Sequence, residues 1–237
     1  MERTRSTIKI YAKELKERLK EKEDVVIISQ EEIKNLYKET RGVHKTIEAI
    51  QREIAQNPTA KVIIEFPLVI KELSDPKWFH PEDQNKPHEQ RRLSPYVDHL
   101  GGVERFRKQR DEAIKQWFNE KGIVDNEQLG PNPQEIAKDH LRALRRMEEF
   151  VRKIFPENPL KIVVVGHSLE LDVFYTFLAN QGEITPEGFE KIGGKMVEET
   201  EPAQIILFPG GKIELRYRGK TFEFQEDVRE GKDEDNN

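Results

Sequence analysis

KIVVVGHSLELDVFYTFLAN, residues 161–180, decides how this chain is read. An apolar run at 162–165 stops at Gly166-His167-Ser168, and a helix-like apolar pattern begins at 169–178. A short apolar run closed by glycine reads as a buried strand, and the segment after it as a helix on the sheet. Two residues at the junction compete for the chemistry. Ser168 stands where the nucleophile of a Gly-x-Ser-x-Gly elbow would stand, but Glu170 replaces the second glycine, whose missing side chain lets that turn close. In that fold the histidine follows the serine along the chain. The six histidines here are His44, His80, His88, His99, His140 and His167, and none follows Ser168. A serine hydrolase built on Ser168 is therefore the lesser alternative. The carboxyl end of a strand in an open α/β sheet is where ligands bind, and that is where His167 would lie. The helix after it directs its first-turn amides and positive dipole end to the same place. Such a position suits a phosphate group, with Ser168 as a helix cap or a second donor. The plain alternative is a strand-end histidine satisfied by its neighbours.

Outward from this junction, Ile8, Tyr11, Ala12, Leu15 and Leu19 form one helical face. VVIIS (25–29) and KVIIEF (61–66) read as buried strands, with a helix over 43–55 between them. Residues 74–102 are rich in Pro, His, Asp, Gln and Arg and are too long for a plain connector. Two long amphipathic helices follow, one with Val103, Phe106, Ile114, Trp117 and Phe118 on a face, the other with Ile136, Leu144, Met147, Val151 and Ile154. IILFP (205–209), Gly210-Gly211 and KIELRYR (212–218) spell a hairpin. Strands alternating with helices predict an α/β three-layer sandwich, a mainly parallel sheet flanked by helices, with the antiparallel hairpin at one edge. One domain is expected over 1–224, with 74–160 as lid loop plus helical insertion, and an acidic disordered tail over 225–237.

Composition narrows the function classes. The 237 residues contain no cysteine, which excludes disulfides, zinc-thiolate sites and a cysteine nucleophile. Forty basic against forty-five acidic residues leave a net charge of -5, so no global basic footprint for nucleic acid exists. No apolar run approaches the roughly 20 residues that span a bilayer, and the first twenty residues lack the apolar core of a signal peptide. A cytoplasmic location, without membrane or nucleic-acid partners, is the expectation.

The order of these segments resembles the histidine phosphatase superfamily, which includes the cofactor-dependent phosphoglycerate mutases. KIVVVGHSLELDVFYTFLAN resembles its second histidine motif, VVIIS the strand before its Ser-containing switch segment, HKTIEAIQREI (44–54) its arginine-bearing helix, and PLVIKELSD (67–75) the stretch supplying its acid. The helical insertion before the last histidine strand fits as well. The resemblance implies in-line phosphoryl transfer through a phosphohistidine, with arginines and a second histidine stabilising the non-bridging oxygens. A carboxyl group protonates the leaving oxygen, and neither metal nor cofactor takes part. On that implication His167 is the second histidine, Glu72 the acid with Glu65 as competitor, and Ser168 a phosphate donor. The family's helix arginine sits four residues before a threonine; Gly42 holds that place before Thr46, with Arg41 beside it and Lys45 in reach. Lysine does not reproduce the guanidinium fork, so Arg41 is the phosphate-binding choice, with a solvated charge as the plain alternative. The family's first strand ends in Arg-His-Gly, yet no histidine precedes His44. The expectation is a relative lacking that strand, with impaired turnover of a small phosphorylated molecule. A non-catalytic phosphate-binding or scaffolding relative is the other alternative, and a homodimer is an assembly open to it.

The remaining candidates have plainer readings. His80 and His88 match no metal-ligand spacing, and a mobile lid is expected around them, where Lys77, Arg91 and Arg92 would meet an anionic substrate or simply be solvated. His140 lies on the apolar stripe of its helix and is expected to be packed and hydrogen-bonded. Gly193-Gly194-Lys195 lacks Walker spacing and reads as a turn.

Overall fold

The computed structural model of the chain describes residues 10, 13–15, 17–18, 25–56, 61–64, 78–83, 86, 90–154, 168–199 and 201–226. It is a mixed helix and strand structure, and contacts divide the chain into two compact units, Met1–Ile70 with Leu144–Gly166 and Lys71–Ala143 with His167–Asn237.

In the first unit, strands β1 (Val25–Ile28) and β2 (Lys61–Ile64) pair in parallel, in register from Val25 opposite Lys61 to Ile28 opposite Ile64. Parallel neighbours need a long crossover, and two helices supply it: α1 (Gln30–Thr40) and α2 (Val43–Ala55). The second of these was legible as a helix over the same residues; α1 was not anticipated. It starts on a capping box in which Ser29 Oγ accepts from Glu32 N–H at 3.2 Å and Glu32 Oε2 accepts from Ser29 N–H at 2.5 Å. Ile33 and Leu36 from α1 meet Ile47, Ile50 and Ile54 from α2, closed by Ile28 and by Phe150. Each aliphatic side chain fully buried here contributes about 1.5–3 kcal/mol. Thr46, in the first turn of α2, is buried; its hydroxyl donates to Gly42 O at 2.9 Å and lies 2.9 Å from the Thr40 hydroxyl.

The second unit carries an aromatic core. Helices α3 (Pro95–His99), α4 (Gly102–Lys108) and α5 (Arg110–Glu120) lead to a two-residue ribbon of β3 (Ile123–Val124) and β4 (Glu127–Gln128). The single helical face expected from Val103 to Phe118 is corrected here: Gln109, at φ -133° and ψ 50°, breaks the helix. The break resets the helical phase, so Ile114, Trp117 and Phe118 are buried while Val103 is 45% exposed. Helix α6 (Pro133–Ile154) follows, and its His140 is buried as expected, donating from Nδ1 to Ile136 O at 2.9 Å against the Phe174 ring.

Helix α7 (Ser168–Ala179) begins where the sequence predicts. It is apolar almost all round, and such a helix buries every face; Val173, Phe174, Phe177 and Leu178 are all buried. Short α8 (Pro186–Lys191) starts on a Thr185 cap and presents Phe189 to Phe118. The anticipated hairpin forms between β5 (Gln204–Leu207) and β6 (Lys212–Tyr217), turning through Gly210 and Gly211 at φ 82° and 86°. A further strand, β7 (Lys220–Gln225), was not anticipated. Arg218 and Gly219 both have positive φ, 48° and 73°, the two-residue turn whose twist suits a hairpin. Among the described residues these three strands form a sheet of their own. Tyr175 and Phe177 of α7 stack on Tyr217 and Phe224 of it. The acidic tail lies outside the described residues from position 227 onward.

Candidate functional site

Of the residues expected to hold a phosphate, His167 and Glu72 lie outside the described residues, as do Glu65, Lys77 and His88. Ser168 is the first residue of α7 and is half-buried, in the second unit. Arg41 belongs to the first unit. It is exposed and ends α1 in the left-handed conformation, φ 53° and ψ 31°, with its N–H donating to Tyr37 O at 2.9 Å. Gly42, four residues before Thr46, caps α2 with extended backbone, and a Cβ there would meet nothing within 4 Å.

Arg91 and Arg92, expected to be solvated or to face a substrate, have internal partners. Arg92 Nε and N–H donate to Asp83 Oδ2 at 2.8 and 3.0 Å, and Nη2 reaches Glu82 Oε2 at 3.0 Å. Lys86 Nζ pairs with the other Asp83 oxygen. These donors hold the Asp83 carboxyl far below the usual carboxylate range, the Arg92 side chain first among them. Arg91 donates to Lys86 O and lies over the Phe79 ring. Phe79 in turn bridges Leu93, and His80 N–H donates to Arg92 O. The described part of the insert is therefore an internally bonded loop.

The densest polar gathering surrounds α7, and sequence reasoning missed it. Asp172 has no exposed surface; its Oδ1 accepts from Val197 N–H at 2.8 Å, and its Oδ2 has no hydrogen-bond partner among the described residues. Thr176, one turn on, is equally buried, and its hydroxyl also has no partner. Asp111 Oδ1 accepts from Met196 N–H at 2.9 Å. Arg218 donates to Lys195 O at 2.8 Å and Met196 O at 2.9 Å, and its Nε and Nη2 clasp Glu201 at 2.6 and 2.8 Å. Tyr217 Oη donates to Glu201 Oε2 at 2.8 Å.

Two of the three carboxyls of this cluster are driven apart. Burial pushes Asp172 up to about 7, against the opposing pull of the Val197 N–H and the Arg218 charge. Hydrogen bonding from Arg218 holds Glu201 down at about 2. Burial, with Asp172 and Glu201 adding to it, pushes the Tyr175 phenol up to about 12. A signal for the cluster stands in the sequence: Asp172 follows Glu170 inside an otherwise apolar helix, where a buried charge is costly unless paired.

A second gathering centres on Glu120. Its carboxylate accepts from Tyr96 Oη at 2.8 Å and from Gln116 Nε2 at 2.8 Å, and lies 3.0 Å from His99 Nε2. Burial raises its pKa, and those donors together outweigh it and hold the group below its ordinary value. Arg105 completes the set by donating to Gln116 Oε1 at 2.7 Å.

Among the described residues no three His, Cys, Asp or Glu side chains gather as a metal set. No helix among them is long and apolar enough to cross a membrane. No family profile, no curated protein and no solved structure matches the chain.

Proposed function

We propose that the chain is a histidine phosphatase-like protein that binds the phosphate group of a small phosphorylated molecule. The observation carrying this reading is the start of α7 at Ser168, directly after an apolar run ending in Gly166-His167. A strand there would present His167 beside the first-turn amides of α7, where an anion is favoured. The parallel β1–β2 pair, each strand in the family's order, supports the same reading. So does buried Thr46 in the first turn of α2, four residues after Gly42. On this proposal the whole is a three-layer sandwich with a mainly parallel sheet. His167, Ser168 and Arg41 hold the phosphate, Glu72 lies beside the leaving oxygen, and no metal or cofactor is needed. The family's nucleophilic histidine has no counterpart among residues 1–43 of this sequence.

The test is titration of the full chain with inorganic phosphate and vanadate by calorimetry, alongside a generic aryl phosphate assay. His167→Ala is expected to weaken anion binding at least about tenfold, the worth of one charge-assisted hydrogen bond, and Ser168→Ala by less. Unchanged binding in His167→Ala overturns the proposal. Carboxylic-ester hydrolysis lost only in Ser168→Ala would replace it with the serine-hydrolase reading.

A further inference from the structure

We infer that segment 194–199 is a pH-dependent latch, closed on the protonated Asp172 carboxyl and loosened when that proton leaves. The segment has little regular structure to hold it. Gly193 and Gly194 enter it at φ 114° and 64°, and no helix or strand spans 194–199. Besides Glu201, which takes Glu198 N–H at 3.0 Å, its backbone is pinned by three side chains from three other elements. Asp111 of α5 takes Met196 N–H, Asp172 of α7 takes Val197 N–H, and Arg218 of the β6–β7 turn donates to Lys195 O and Met196 O.

The three pins differ in what water can do for them. Arg218 keeps 22% of its side chain exposed and is neutralised by Glu201. Asp172 has no exposed surface and receives one hydrogen bond, so its second oxygen is shut from bulk solvent and has no donor among the described residues. A buried carboxylate with one donor is destabilised relative to the neutral acid. The neutral acid loses nothing at the latch, because a carboxyl keeps an acceptor oxygen for Val197 N–H when the other oxygen carries the proton.

The charged groups that act on Asp172 fit this scheme. Asp111 and Glu201 oppose a negative charge on Asp172, and Arg218 alone favours it. Tyr175 and Tyr217 face it as phenols raised well above neutrality by burial, so they stay protonated where Asp172 titrates. The closed latch holds Asp172 at about 7 against 3.8 for the free group. Opening therefore releases a proton between those limits, and its equilibrium constant rises about tenfold per pH unit there, then levels off.

Amide exchange at Val197 in the intact chain, followed by NMR from pH 4.5 to 8.5, reads the latch. After correction for intrinsic exchange, protection is expected to fall by roughly two orders of magnitude up to pH 7 and to flatten beyond it. Asp172→Asn, which keeps an acceptor oxygen, is expected to flatten the whole profile. A flat wild-type profile, or the same slope in Asp172→Asn, overturns the inference. A carbon-detected titration of the Asp172 carboxyl in wild type needs no variant, and a midpoint near 4 would overturn it equally.

Discussion

Asp83 and Asp172 are both without exposed surface, and their carboxyls are driven in opposite directions. Asp83 collects Arg92 twice on one oxygen and Arg92 Nη2 with Lys86 on the other. Asp172 collects one backbone N–H. Burial penalises both ionised forms; the number of charged donors decides which penalty is overcome. The contrast follows from where each residue sits. Asp83 is in a polar loop with basic residues within ten positions, whereas Asp172 is in an apolar helix whose nearest cation, Arg218, is already held by Glu201. Loops can therefore bury an ionised acid safely, and apolar helices bury one in its neutral form.

The largest effect expected from this contrast is on global stability at Asp172. Its folded value lies above the unfolded one, so the protonated group's contribution is fully present below about 4 and is lost as pH rises toward about 7. The rise from 3.8 to about 7 corresponds to on the order of 4 kcal/mol. Denaturant melts of wild type and Asp172→Asn at pH 4.5 and 8 should show the difference between them shift by several kcal/mol in favour of the variant at pH 8. A constant difference at the two pH values would break the comparison.

How far this was legible depended on whether partners lie close in sequence. Helix α2 was evident because Ile47, Ile50 and Ile54 mark one face within eight residues, and the β5–β6 hairpin because Gly210-Gly211 punctuates it. Helix α1 carries equally local signals, the Ser29–Glu32 box and Ile33 with Leu36, and was overlooked beside the stronger strand before it. Strand β7 alternates Phe222 and Phe224 but runs into the polar tail, which hid its period. Of the candidate phosphate site, the start of α7 at Ser168 was legible from the Gly-His-Ser break. What Arg92 does was not, because a cation in a polar stretch looks the same whether solvated or clasped by Asp83. The Asp172 latch was hidden for another reason: Val197 and Arg218 lie 25 and 46 positions away and no motif links them.

A smaller effect is expected at the other pole. Asp83 has its folded value below the unfolded one, so its contribution is present above about 4 and is lost as pH falls through the lowered value. Arg92→Met removes the main donor and leaves Lys86. The Asp83 carboxyl should then titrate closer to the ordinary carboxylate range by NMR, and acid unfolding between pH 4 and 2 should lose part of its steepness. An unmoved Asp83 titration would mean that Lys86 and the loop backbone suffice, and donor count would no longer explain the difference between the two acids.

The smallest effect separates burial from hydrogen bonding at one atom. Thr176 is buried on the same face of α7 as Asp172, one turn away, and its hydroxyl has no partner among the described residues. A buried hydroxyl without a partner loses its hydration for no return. Thr176→Val keeps the shape and removes that hydroxyl, so it should raise stability by about 1 kcal/mol in denaturant melts at pH 8. A Thr176 hydroxyl close enough to bond Asp172 would receive its proton at pH 5 and donate to its carboxylate at pH 8, and the same substitution would then destabilise by about the same amount at both. A loss at both pH values would place the second Asp172 oxygen against Thr176; a gain at both would mean that neither group partners the other.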